Sequence, residues 1–250
     1  MSRLSIPLLL ALFFGQAQAA SDAEGVAPPT PIPVIFGFYE FPPSIYTDAD
    51  GVVRGRMHDL AEAMLRRAGY APEFRSLPSA RLYNGLRDGS VHLWAGSRKP
   101  DLQDYVLESR SLLTETTLNL YYRADTPKPK IPQDLIGRDL ILISGYTYWP
   151  NVNAMLADPA LAVVLHRTSN HVSALQMLER RRGDFLLDYA VPVDQAREEL
   201  GMPPLPYVVL AHLPIHYIIS RKAPQPEALR DALDQVYDEM IAAGEEIGLP

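Results

Sequence analysis

Apolar residues recur along the chain in two alternating rhythms. PVIFGFY (33–39) is an almost unbroken apolar run, the composition of a strand buried on both faces. From 56 to 68 the rhythm changes. Met57, Leu60, Ala61, Met64, Leu65 and Ala68 recur at three- and four-residue spacing, one face of a helix that Gly69 stops. EFRSL (73–77) predicts a short strand, Pro78 to Arg87 a helix closed by Gly89, and VHLWAG (91–96) a third strand. Such a β-α-β-α-β series makes a mostly parallel sheet with helices on both faces.

TTLNLYYR (116–123) predicts a long strand, and DTPKPKIP (125–132) a proline-rich connector. The rhythm then restarts. Strand 139–143 leads to a helix through Met155, strand 161–165 to a helix running from a Ser169 cap to Arg182, and strand 184–187 to helix 190–200. Strands 206–211 and 215–220 precede a last helix, 226–243, which is expected to bury Leu229, Leu233, Val236, Met240 and Ile241 and to end at Gly244. The pattern describes an α/β protein of two lobes with one architecture, although the sequence shows no convincing repeat.

Composition refines this picture at the N-terminus. Arg3, the apolar run Leu4 to Phe14 and the small residues Ala17-Gln18-Ala19 form the three-part pattern of a cleaved secretory signal peptide, residues 1–19. Its apolar run is too short to span a bilayer. Residues 20–33 read as a flexible leader. The remaining length suits one large or two small domains. The chain has no cysteine, so its core must hold without disulfides and an N-terminal lipid anchor is not expected; together with export, this favours a periplasm. A net charge of −7 with interspersed signs excludes a basic nucleic-acid face. The six histidines are scattered without metal-ligand spacing, so neither metal nor cofactor is expected.

In open parallel sheets, ligands bind outside the carboxyl ends of the strands. That rule selects Tyr39-Glu40-Phe41, Gly96-Ser97-Arg98, Gly145-Tyr146-Thr147-Tyr148-Trp149 and Asp188-Tyr189. They offer aromatic faces, a hydroxyl, a cation and a carboxylate, a set that suits a small polar or zwitterionic molecule held between lobes. Each has a plainer reading. Tyr39 and Phe41 can be core aromatics under the Pro42–Pro43 loop, Trp94 core of its strand, and Trp149 packing in a first helical turn. Arg98 can be a solvated charge and Asp188 the N-cap of helix 190–200. Glu40 reads as rim, Arg81 as a surface or interlobe ion pair, and His92 as a hydrogen-bonded structural residue.

The ordered segments FPPSIYTDADGVVRGRMHDLAEAMLRRAGY, LRDGSVHLWAG, GDFLLDYA and PIHYIISRKAPQPEALRDALDQVYDEMIAAG resemble the family 3 extracellular solute-binding proteins, periplasmic receptors of polar amino-acid ABC importers, over 34–244. The resemblance implies a type II periplasmic-binding-protein architecture, with lobe 1 formed by 34–122 plus 218–250, lobe 2 by 123–217, and two segments crossing near 120–125 and 212–222. It implies a monomer that captures an amino acid or related solute by hinge closure and delivers it to an inner-membrane ABC permease. Carried over by position, Tyr39 stacks on the ligand beside Phe41, Gly96 and Ser97 donate to it, and the amides of Gly145 to Thr147, Tyr146 among them, meet a carboxylate. Asp188 receives an amine. The family's Gly-aromatic-Asp-x-Asp-Leu appears as Gly55-Arg56-Met57-His58-Asp59-Leu60, His92 replaces an acid, and SRKPDLQDY leaves only Arg98 to stand for the usual carboxylate clamp. Two alternatives stay open: an enzyme on the same fold, like cyclohexadienyl dehydratases, drawing on Glu40 and Asp188, or a stand-alone ligand sensor.

Overall fold

The computed structural model describes residues 30–245 and 247. The signal peptide expected at 1–19, and the leader expected at 20–33 except its last four residues, lie outside the described residues.

Strand β1 (Ile32–Phe38) carries the first apolar run, with Val34, Phe36 and Phe38 buried. The chain then turns between Phe41 and Ile45, whose amides and carbonyls bond reciprocally at 2.8 and 3.1 Å around a cis Pro42–Pro43 peptide. A ribbon of β2 (Tyr46–Thr47) and β3 (Val53–Arg54) follows. Gly55 joins it to helix α1 (Arg56–Arg67). Only glycine fits there: φ is +113°, and a Cβ would sit 2.3 Å from the Ser44 carbonyl oxygen. That carbonyl also accepts from the Met57 amide at 2.9 Å, so the start of α1 is pinned onto the proline loop. α1 buries Met57, Leu60, Ala61, Met64 and Leu65, and each large apolar side chain withdrawn from water contributes ~1.5–3 kcal/mol.

The first half continues with β4 (Tyr70–Ser76), α2 (Ser79–Asp88), β5 (Leu93–Gly96), β6 (Val106–Glu108) and β7 (Thr114–Tyr122). The second brings β8 (Asp139–Ile143), α3 (Pro150–Ala157), β9 (Val164–Thr168), α4 (His171–Glu179), β10 (Phe185–Tyr189), α5 (Ala190–Glu199), β11 (Tyr207–Ser220) and α6 (Pro226–Ala242). The strands form one curled mixed sheet in the order β4-β1-β5-β11-β7-β10-β8-β9, with β6 beside β11. Its two ends are parallel: β1 pairs with β4 and β5, and β8 with β9 and β10. At the centre, β11 runs antiparallel to β5, β6 and β7.

Two apolar cores flank that centre. One gathers residues such as Phe36, Met64, Leu93 and Leu229, the other Leu118, Leu140, Leu175 and Leu186. Leu113 packs in the first and Leu118 in the second, while Ile215 of β11 touches both. Residues 118–122, expected in the first lobe, therefore pack in the second core, because β7 pairs there with β10.

Several local expectations differ from the structure. The strands expected at 206–211 and 215–220 are one, β11, because it finds a partner in β7 up to Ile215 and in β5 and β6 beyond it. Strand β9 starts at Val164 rather than 161, since the Leu161 carbonyl is engaged by the Gly137 amide at 2.8 Å in a turn. Asn170, not Ser169, caps α4, accepting from the Ser173 amide at 2.8 Å. Ile241 is exposed, because Met240 takes the inward position that follows Leu229, Leu233 and Val236 around the helix.

Helix α6 is tied back to the segment before β7 by a buried carboxylate. Asp234 Oδ1 accepts from the Ser111 amide and hydroxyl at 3.0 and 2.6 Å, and Oδ2 from the Arg110 amide at 3.1 Å. Asp234→Ala leaves the Ser111 amide and hydroxyl unpartnered in a buried place, where each costs ~1–3 kcal/mol. Urea denaturation is expected to show a loss of at least about 2 kcal/mol; a loss below about 0.5 kcal/mol would show that the carboxylate does not hold the helix.

Candidate functional site

A cavity opens between the two cores, with about 80 Å³ of internal room. The end of β1 and its loop supply Phe38, Tyr39 and Phe41; the end of β5 supplies Trp94, Gly96, Ser97 and then Lys99. Thr114 and Thr116 of β7 face Leu213 and Ile215 of β11, their cross-strand partners, while Tyr83, Trp149 and Tyr189 close the sides.

The walls are mostly aromatic, and the rings meet across the lobes. Tyr39 packs on Tyr146 with centroids 5.2 Å apart, and Phe41 on Tyr189 at 5.4 Å. Such tilted pairs add ~0.5–1.5 kcal/mol beyond the area they bury. Burial pushes the Tyr39 phenol up to about 12 and holds those of Tyr83, Tyr146 and Tyr189 well above the ordinary value, so all four stay neutral donors near pH 7. Gly96 carries no side chain because the Trp94 indole folds onto it: a Cβ would lie 2.0 Å from the ring.

One turn, Gly145 to Tyr148, gathers the polar links between the lobes. The Gly145 carbonyl accepts from the Ser79 amide and hydroxyl at 3.0 and 2.9 Å. The Tyr146 hydroxyl donates to the Glu40 carbonyl at 2.8 Å. Lys99 Nζ donates to the carbonyls of Thr147 and Tyr148, both at 3.1 Å, and lies 5.0 and 5.3 Å from the ring centres of Tyr83 and Trp149. Lys99 is buried, and burial lowers its pKa to about 8 against the opposing pull of Asp101.

The residues singled out from the sequence fall in different places. Tyr39, Phe41, Gly96 and Ser97 stand on the cavity wall, and the Ser97 hydroxyl donates to the Pro214 carbonyl. Arg98 is exposed and paired with Glu108 at 3.1 Å. Tyr146 borders an outer cleft with Glu40 and His171, and Thr147 turns its carbonyl to Lys99. Asp188 is 0% exposed and does not reach the cavity wall. Its Oδ2 lies 2.7 Å from His171 Nδ1, its Oδ1 accepts from the Tyr189 amide at 2.8 Å, and His171 Nε2 is 3.4 Å from the Tyr146 hydroxyl. His92 accepts from the Ile35 amide at 3.1 Å.

Lys99, Thr116 and His171 were not anticipated. A signal existed for Lys99: side chains alternate along extended backbone, so Ser97 facing inward places Lys99 inward and Arg98 out. Nothing local marks Thr116 or His171, whose surroundings are assembled by other strands. Among the described residues, no group of three His, Asp or Glu side chains is placed to hold a metal ion.

Fold and site together define a class, the two-lobed α/β binding proteins with a cavity between the lobes. Residues 34–246 match the family model of the bacterial extracellular solute-binding proteins, family 3, and the chain belongs to that family. Among solved structures, holo ArgBP from T. maritima is similar with a TM-score of 0.65 and 18% identity, over 84% of this chain and 90% of that one. A histidine kinase sensor domain with similarity to periplasmic binding proteins gives 0.68 and 20%, over 86% and 91%. An ancestral amino acid-binding protein, a precursor of cyclohexadienyl dehydratase, gives 0.64 and 19%, over 86% and 91%. At these identities the likeness shows a common fold. No curated protein matches the chain.

Tyr146→Phe keeps the ring and deletes the hydroxyl that reaches Glu40 across the lobes. One such bond is worth ~0.5–1.5 kcal/mol, so amide hydrogen exchange at 145–148 is expected to quicken roughly two- to tenfold. Unchanged exchange in this turn would show that the hydroxyl does not restrain it.

Proposed function

We propose that this protein is a receptor that captures a small organic solute between its lobes, closing on it as a hinge. The observation that carries the reading is the cavity itself: its aromatic walls come from both lobes, and the lobes are joined over it by hydrogen bonds to the single turn Gly145–Tyr148. A site built this way is complete only when the lobes approach, so a solute that touches both walls favours the closed form. The hinge belongs where the segments 109–116 and 213–217 run side by side and the chain changes core.

Export to a periplasm, delivery of the solute to the permease of an ABC importer, and action as a monomer complete this reading; membership of an extracellular solute-binding family supports it. Binding is preferred to catalysis because acid–base chemistry needs a matched donor and acceptor near the substrate. Lys99 is the single charged side chain on the cavity wall among the described residues, and Glu40 and Asp188 lie off it.

A thermal-shift screen of amino acids, amines and small carboxylates tests the reading. A true ligand at about 100 times its dissociation constant raises stability by ~2.7 kcal/mol. Scattering with that ligand is expected to show a smaller radius of gyration, by hinge closure. A saturating ligand that leaves the radius unchanged would reject closure, and steady product formation would reject a receptor in favour of an enzyme.

A further inference from the structure

The charge on the cavity wall is of one sign among the described residues. The wall includes one cationic residue, Lys99, and no carboxylate residue among the described residues. Two backbone carbonyls and two ring faces surround Nζ. These groups solvate a cation without neutralising it, and a buried charge without a counter-ion is costly. The carboxylate that the resemblance assigned to a ligand amine, Asp188, is fully buried and engaged by His171 and the Tyr189 amide. A ligand ammonium entering here meets a like charge and no carboxylate on the wall.

A second observation points the same way from another strand. Thr116 lines the cavity, and its buried Oγ1 has no hydrogen-bond partner. Its wall neighbour in the ladder is Leu213, so nothing polar opposite it accounts for the hydroxyl. An oxyanion supplies an acceptor for Thr116 as well as a counter-ion for Lys99, whereas the aromatic walls suit a flat or apolar body. The room inside corresponds to roughly five to eight water positions, which limits that body to a small one.

We propose that the cavity takes a small carboxylate bearing no ammonium group, its charge paired with Lys99, a carboxylate oxygen hydrogen-bonded by Thr116 and its apolar body among the rings of Tyr39, Phe41 and Trp94. The proposal rests on the receptor reading above and names the class of solute for that same site.

The chain has two tryptophans, Trp94 and Trp149, and both line the cavity, so intrinsic fluorescence reports binding directly. The probes are benzoate and phenylacetate, with phenylalanine and phenethylamine as amine-bearing counterparts. Both acids are expected to give saturable changes, at least about tenfold tighter than phenylalanine, with none from phenethylamine. Lys99→Met is expected to weaken benzoate about tenfold or more, and Thr116→Val, which trades only the hydroxyl for a methyl, roughly two- to tenfold.

Affinity for benzoate is expected to hold below pH 8 and to fall as pH rises past it, because Lys99, with its pKa lowered to about 8, loses the charge that the anion needs. The titratable and charged groups facing Lys99 are the Tyr83 phenol, which burial holds well above its ordinary value, and the Asp101 carboxylate, whose charge opposes the lowering. Lys99→Met is expected to remove the profile, a readout that mere loss of packing would not produce. Phenylalanine or phenethylamine binding as tightly as the acids overturns the solute class and leaves the receptor reading standing. Absence of a saturable response to either acid at millimolar concentration, or a Lys99→Met variant that is folded and binds benzoate unchanged, also overturns it. Conversion of a bound acid to product supports the class and rejects the receptor.

Discussion

Both lobes, and the cavity between them, depend on β11 finding a partner along its whole length. Strands of five or six residues are usual, and this one has 14. Side chains alternate along it, so Leu213, Ile215, Tyr217 and Ile219 share one face. That single face supplies the second core at Leu213, the cavity wall at Leu213 and Ile215, and the first core at Tyr217 and Ile219. Strand β7 repeats the arrangement beside it, with Thr114 and Thr116 at the cavity and Leu118 and Leu120 in the second core. The ladder is thus a floor on which two cores stand, and the gap between them is the site.

Because the floor is common to both lobes, the contacts above it need only a few residues. The turn Gly145–Tyr148 receives a hydroxyl and an amide from Ser79, lends a hydroxyl to Glu40 and accepts an ammonium from Lys99. Each link joins a backbone group of one lobe to the other lobe, which restrains the approach of the backbones more tightly than contacts between long side chains. The opening aromatic pair takes part in the same closure. Tyr39 and Phe41 follow β1 and are held in place by the Phe41–Ile45 turn, so they meet Tyr146 and Tyr189 with little left to order.

The placement of charge sets the chemistry of the site. The Asp188 carboxylate is buried beside the His171 imidazole and off the cavity wall, and Lys99 is the charged residue that lines the wall among the described residues. In a medium less polarisable than water, a charge beside the cavity acts more strongly on a ligand charge than it would in solvent.

Much of this was legible in the residues taken alone. The apolar rhythm located β1, α1, α2, β8 and α6 to within a few residues, and Gly69 and Gly89 marked helix ends, because the spacing of side chains on one face is a local property of the backbone. The sheet rule also led to Tyr39, Phe41, Gly96 and Ser97, since the carboxyl end of a strand is where its loop must emerge. Other features were decided only by tertiary structure. That 207–220 is one strand depends on β7 and β5, whose paired residues lie 86 to 126 positions away in the chain. That Asp188 meets His171, and that Lys99 rather than Arg98 turns inward among Tyr83, Trp149 and the carbonyls of a distant turn, depends on which elements pack against them. A buried polar group is stable only with a partner, and a partner is chosen by proximity in three dimensions. Local sequence therefore determined which surfaces are apolar, and the packed fold determined where the few buried charges and hydroxyls find or lack their complements.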